Sequence, residues 1–189
     1  MCMNKKALVA VFLVAVMVLS TLGFVLDFAS SSQKETYGDW KFTLKDNVWV
    51  TSINGVDASF SYLPSDVESL SLSSSKTMML KNAKQLGLSY DSGSSLASSF
   101  AEVQYDLARR LDELSGVYVV RGLVNNSGTA LPILTCENAT STFPVIVFEE
   151  NETTAFVESG SCIHAGAIFS NDVYRLGDRL LYGATGVIQ

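Results

Sequence analysis

The residues of this 189-residue chain with chemistry to offer are a pair of cysteines, one histidine, a few acid–base pairs and three glycosylation sequons. Cys136 and Cys162 stand 26 positions apart. In an exported domain an oxidising exterior lets such thiols pair. Closing that loop stabilises the fold by about 3–4 kcal/mol on the chain-entropy account. The competing reading is two separate buried thiols. A redox role is disfavoured, because there is no Cys-x-x-Cys spacing. The one histidine, His164, lies in Ser161-Cys162-Ile163-His164. It could act as base to a serine nucleophile, but no serine sits in a Gly-x-Ser-x-Gly elbow. The bland reading is a structural histidine in a strand beside a disulfide. Asp172 and Asp178 are six apart on a final helix, so they lie on different sides of it; each is three from Arg175, a surface pairing worth tenths of a kcal/mol. Asp178-Arg179 reads as an architectural, partly buried pair. Asn125, Asn138 and Asn151 head Asn-x-Ser/Thr sequons and are the glycosylation candidates. No P-loop, dinucleotide fingerprint, EF-hand or metal-ligand spacing occurs, so no cofactor, metal or catalytic residue is expected.

The elements that must position these residues start from an uneven composition. Hydrophobic residues make up 48% and charged residues 17%, below the ~25% usual for soluble domains. The excess is local. Residues 7–26 read ALVAVFLVAVMVLSTLGFVL, with no charge, after Lys5-Lys6. As a helix this run spans about 30 Å, the hydrocarbon thickness of a bilayer. Three readings compete: an uncleaved signal anchor, a cleaved signal peptide and a prepilin-like leader. All place the C-terminal part outside the cytoplasm, with residues 1–6 inside by the positive-inside rule. The anchor suits the length of the run best, and makes the lipid bilayer a partner through residues 7–26. Residues 27–38 then read as a Ser-rich stalk and 39–189 as an extracytoplasmic α/β domain. Beyond residue 26 there are 11 Lys and Arg against 19 Asp and Glu, a net of −8. With a pI near 4.7, that opposes nucleic acid as a partner.

The spacing predicts an α+β or mixed α/β domain with an N-terminal β-meander, a mixed sheet and about three helices, behind a transmembrane helix. Residues 40–45, 48–53 and 56–62 alternate as three strands, joined by Asp46-Asn47 and by Asn54-Gly55, a strong hairpin signal. Residues 67–72 suit a short strand. Ser73-Ser74-Ser75 offers caps for a helix over 76–86, with Gly87 as its stop, and residues 88–90 for a further short strand. Between residues 94 and 114, Leu96, Phe100, Val103, Leu107, Leu111 and Leu114 recur at helical spacing. Residues 117–120 are apolar on both faces and read as a central strand after a crossover. Residues 145–148 form another strand, with a polar turn leading into 155–157. Residues 162–168 make the last strand, before a helix capped by Ser170 or Asn171.

Several phrases together carry a likeness: the apolar N-terminus, Trp49-x-x-Ser52-Ile53-Asn54-Gly55, Tyr62-Leu63-Pro64-Ser65-Asp66-Val67-Glu68, Thr135-Cys136-Glu137-Asn138-Ala139-Thr140, Pro144-Val145-Ile146, Cys162-Ile163 and Asp178-Arg179-Leu180-Leu181-Tyr182-Gly183. The chain resembles small, single-pass, membrane-anchored archaeal proteins. The resemblance implies an archaeal envelope setting and carries over no catalytic residue. Phe143-Pro144 leading into a strand, a hairpin and a last helix is also similar to the C-terminal half of a thioredoxin-like domain, without its redox motif. The expected function is a non-enzymatic binding or structural component of a cell-envelope assembly, partnered by another membrane or envelope protein. The alternatives are a pilin-like self-assembling subunit and an exported hydrolase using Ser and His164.

Overall fold

The computed structural model describes residues 12–18, 33–125 and 128–189. The chain divides into two units, Met1–Gln33 and Lys34–Gln189. In the first, residues 12–18 are helical. The rest of the 7–26 run, with residues 1–6 and 27–32, lies outside the described residues. Among the described residues no helix is long and apolar enough to cross a membrane. The expected fold class, led by a transmembrane helix, is therefore corrected to an α+β domain with two separate sheets.

The first sheet is antiparallel, with strands β1 (Lys34–Tyr37), β2 (Trp40–Lys45), β3 (Val48–Ile53) and β4 (Val56–Phe60) in sequence order. Asp46, Asn47, Asn54 and Gly55 all take positive φ, so both central residues of each two-residue turn match the twist of the strands they join. β1 occupies part of the segment read as a stalk. It pairs with β2 from Lys34↔Thr43 to Tyr37↔Trp40, and the Tyr37 hydroxyl donates to Glu68 Oε2 at 2.9 Å. Phe42, Ile53, Ala58 and Phe60 form the buried side of the sheet.

Residues 67–72 are not a strand. Pro64 starts a one-turn helix, α1 (Pro64–Val67), and the Leu63 N–H donates to Asp66 Oδ2 at 2.9 Å. Helix α2 (Ser74–Asn82) is capped by Ser73, whose Oγ accepts the Lys76 N–H. It ends four residues before the position read as its last. Gly87 is no helix stop: it lies inside a strand, where a Cβ would come within 2.6 Å of Leu134 Cδ2 and 3.2 Å of Val145 Cγ2. Close packing over the sheet, not a turn, requires the glycine.

The second sheet holds β5 (Gln85–Tyr90), β6 (Tyr118–Arg121), β7 (Val145–Glu150), β8 (Ala155–Ser159) and β9 (Cys162–Ala167), in the order β6-β5-β7-β9-β8. All neighbours are parallel except β8, which runs antiparallel to β9. Helix α3 (Ala97–Ser115) connects β5 to β6 and ends at Gly116, with φ 62°. β6, read as a central strand, is an edge strand with Tyr118 67% exposed. Central places go to β5 and β7, where Leu86 to Ser89 and Val145 to Phe148 are buried without a break. Nor does the strand after Pro144 form a hairpin with the next one. β9 inserts between β7 and β8, because its residues are mostly buried while Val157, Glu158 and Ser159 of β8 are exposed. β5, β7 and β9 thus form a parallel run, and β8 and β9 make the antiparallel hairpin before the last helix.

Leu88, Ile146 and Ile163 are in register and belong to the main core with Phe100, Val103 and Leu107 of α3 and with helix α4 (Ser170–Thr185). On the opposite face Gly87, Val145 and Cys162 line up, under a smaller cluster completed by Leu134, Cys136 and Phe143. The α3–α4 approach is close: a Cβ on Gly177 would lie 2.8 Å from Val103 Cγ1. Gly177→Leu is therefore expected to cost about 1–3 kcal/mol in urea unfolding, with Val103→Ala restoring part of it. Equal stability of Gly177→Leu and the parent would show that the helices part freely.

A polar clamp joins the first sheet to these helices. Buried Asp178 accepts the Ser61 N–H at 2.8 Å and the Tyr62 N–H at 3.0 Å, and Arg110 Nη2 lies 3.4 Å from its Oδ1. Arg110 also pairs with Asp106, donates to the Ser59 carbonyl and sits over the Phe60 ring at 5.6 Å. Desolvation pushes the Asp178 carboxyl up to about 6, against the pull of Arg110 and the two backbone donors. Tyr182 stacks on Phe60 at 4.2 Å and donates to the Tyr62 carbonyl at 2.7 Å. Arg179 Nε donates to the Leu70 carbonyl at 3.1 Å, and Arg175 pairs with Asp172 at 3.3 Å. These carboxylates and guanidinia are architectural.

Candidate functional site

The connection from β5 leads to β6 on one side, whereas β7 pairs on the other. Connections that part in this way leave a crevice at the carboxyl ends of the two strands, the usual ligand position in open α/β sheets. Here that region holds a cavity of about 470 Å³. Its apolar lining is Val124, Val147 and Phe148, and its polar lining includes Asp91, Glu137, Glu149 and His164.

Strand alternation explains how these groups meet. Val145, Val147 and Glu149 share one face of β7, and Cys162 and His164 share the same face of β9, with Val147 paired to His164. Above them, Thr135 opens a 3₁₀ turn, Cys136–Asn138, by accepting the Glu137 N–H on its Oγ1 at 3.3 Å. The Thr135 N–H in turn donates to Asn138 Oδ1 at 2.8 Å. This places half-buried Cys136 over buried Cys162, and the two are joined with Sγ atoms 2.01 Å and Cα atoms 5.3 Å apart.

His164 lies between two partners. Its Nε2 is 3.1 Å from Cys136 Sγ and its Nδ1 is 3.1 Å from Glu149 Oε2. Sulfur in a disulfide and oxygen in a carboxylate both only accept, so both contacts are hydrogen bonds at once only when the ring carries two protons. In the neutral ring with its proton on Nδ1, the Glu149 bond is kept and a lone pair faces the sulfur.

The rim is ordered by side chains on loops. Asp91 Oδ1 accepts the Gly93 N–H at 2.8 Å and Asn125 Nδ2 at 2.6 Å. At the end of β7, Glu150 Oε2 accepts Ser94 Oγ at 2.9 Å and Ser95 Oγ at 3.0 Å, and these bonds hold its carboxyl below the usual range.

Of the residues singled out in the sequence, the fold brings Cys136, Cys162 and His164 together at this crevice and places Asn125 at its edge. No serine is among the described residues that line the crevice with His164, and the Thr135 hydroxyl is engaged in its turn. The hydrolase arrangement therefore lacks its nucleophile there. Asn125, Asn138 and Asn151 are exposed. Asn125 is tied to Asp91 and to Ser92, Asn138 closes the 3₁₀ turn, and Asn151 Oδ1 accepts the Glu152 N–H at 2.7 Å. Residues 126–127 of the first sequon lie outside the described residues, as does Cys2. Asp91, Glu137 and Glu149 escape sequence reasoning. The alternation Val145, Val147, Glu149 carries the one usable signal, and it needs the β7–β9 pairing to be read. No protein-family model, curated protein or solved structure matches the chain.

Proposed function

We propose that the chain is an exported, non-enzymatic binding domain of a cell envelope. Its crevice would receive a cationic group, the ammonium or guanidinium of a basic side chain on another envelope protein. The observation that carries this reading is the set of three carboxylates, Asp91, Glu137 and Glu149, lining one cavity of about 470 Å³ with an apolar lining. An apolar wall lets the stem of a Lys or Arg side chain bury while its head meets the acids. The acidic balance beyond residue 26 favours the same partner through long-range attraction. The Cys136–Cys162 bond suits an oxidising exterior, and the resemblance to archaeal envelope proteins points the same way.

Titration with a lysine-rich tetrapeptide, followed by calorimetry at two salt concentrations, tests the reading. Binding is expected to weaken with salt and to fall about tenfold, or ~1.4 kcal/mol, in Glu149→Gln. Equal affinity for the same peptide with acetylated lysines would falsify the cationic reading.

A further inference from the structure

We propose that reduction of the Cys136–Cys162 bond converts this wall of the crevice into a site for a soft divalent cation of the zinc class, held by the two cysteine sulfurs and His164 Nε2. The ligand atoms of Cys136, Cys162 and His164 all lie within 4.8 Å of one another. A tetrahedral zinc centre with bonds of ~2.0–2.3 Å separates its ligands by about 3.6 Å. The His164 Nε2–Cys136 Sγ distance of 3.1 Å is already near that value. The two sulfurs must part, and Cys162 Sγ, within 4.8 Å of the His164 ring nitrogen, must settle at the same spacing from it. Cys162 is held in a central strand, whereas Cys136 sits in a single 3₁₀ turn at the edge of the cavity.

The surroundings match a metal site in two further respects. A ligating imidazole normally donates its second N–H to a carboxylate, which fixes the tautomer, and Glu149 stands 3.1 Å from His164 Nδ1. Three protein ligands also leave a fourth position, and two of them, Cys136 and His164, line the crevice. Metal sites with an open position take water or an exchangeable ligand there.

The switching step needs a reductant, and a dithiol supplies it. One of its thiolates attacks the sulfur of Cys136, the less buried residue of the two, and Cys162 leaves as thiolate. The second dithiol sulfur then attacks the mixed disulfide, releasing the Cys136 thiolate and oxidising the dithiol to its own disulfide. The two electrons pass to the protein sulfurs. The metal binds both as thiolates, so the protons they would hold as thiols go to solvent. Oxidation reverses the exchange and expels the metal.

Cobalt(II) alone is the probe, added to the full chain carrying Cys2→Ser so that only these two thiols remain. A water-soluble phosphine reduces the disulfide, taking oxygen from water as the sulfurs take hydrogen. One cobalt per chain is expected, with a thiolate-to-cobalt charge-transfer band that the oxidised chain and the Cys136→Ser/Cys162→Ser variant lack. Affinity for cobalt should fall at least tenfold in His164→Ala and about 10–100-fold in Glu149→Gln. Circular dichroism covers the case in which reduction loosens the fold, since a bound metal must then restore structure. The proposal is overturned by a folded, reduced chain without the band, by a loosened one that cobalt does not restore, or by unchanged affinity in His164→Ala. Peptide binding by the oxidised chain reports on the cationic crevice separately.

Discussion

Arg110→Met is expected to lower the stability of the domain by about 3–5 kcal/mol, read as a shift in the urea midpoint at constant slope. The guanidinium serves Asp106, Asp178, the Ser59 carbonyl and the face of Phe60 together. Methionine keeps much of the stem but leaves the buried Asp178 carboxylate with only two backbone donors. The same centre sets a pH dependence. The Asp178 carboxyl titrates near 6 in the folded chain, against an ordinary value of 3.8. The folded state therefore holds this proton more tightly than the unfolded one. Its contribution is fully present below about pH 4 and lost as pH rises through 6, on the order of 3 kcal/mol in all. Removing Arg110 takes away a charge that lowers this value, so the loss should continue to higher pH. Asp178→Asn should flatten the profile between pH 4 and 7, and should return part of the stability lost in Arg110→Met. An unchanged slope in Asp178→Asn would assign the dependence to other groups.

Replacing both Cys136 and Cys162 with alanine is the second large expected effect, a loss of about 3–4 kcal/mol. The bond closes 26 residues of sequence and fastens the segment that covers one face of the second sheet. The damage should be uneven. Amides anchored near it, such as Leu134 N–H on the Leu123 carbonyl and Leu123 N–H on the Pro132 carbonyl, should exchange with solvent far sooner than those of α3. Equal protection of the two regions before and after substitution would mean that Leu134, Val145 and Phe143 hold the segment unaided.

Local chemistry was the part of the fold that the sequence announced. Asn54-Gly55 and Asp46-Asn47 read as turns because so few residues accept positive φ, and α3 read as a helix because six apolar residues repeat its period. Decisions made by distant partners were not legible. The apolar run at 117–120 suits a central strand, yet β5 and β7 take the central places. Gly87 looks like a stop until Leu134 is found against it, 47 positions away. The candidate site divides in the same way. The two cysteines and His164 stand out by residue type, whereas Glu149 and Asp91 join them only through strand order and register. Metal-ligand spacing was absent from the sequence for this reason, since the Cys136–Cys162–His164 group exists in space across 28 residues.

The insertion of β9 between β7 and β8 also fixes a timetable. A chain that emerges N-terminus first presents β7 with its edge open, and no nearer strand can cover it, because β8 pairs only with β9. Cys136 waits through the same interval for the sulfur that arrives on that strand. Sheet closure and sulfur pairing thus fall at one late moment, when Cys162–Ala167 has cleared the exit. Until then the apolar edge from Val145 to Phe148 is the length of chain most in need of a chaperone.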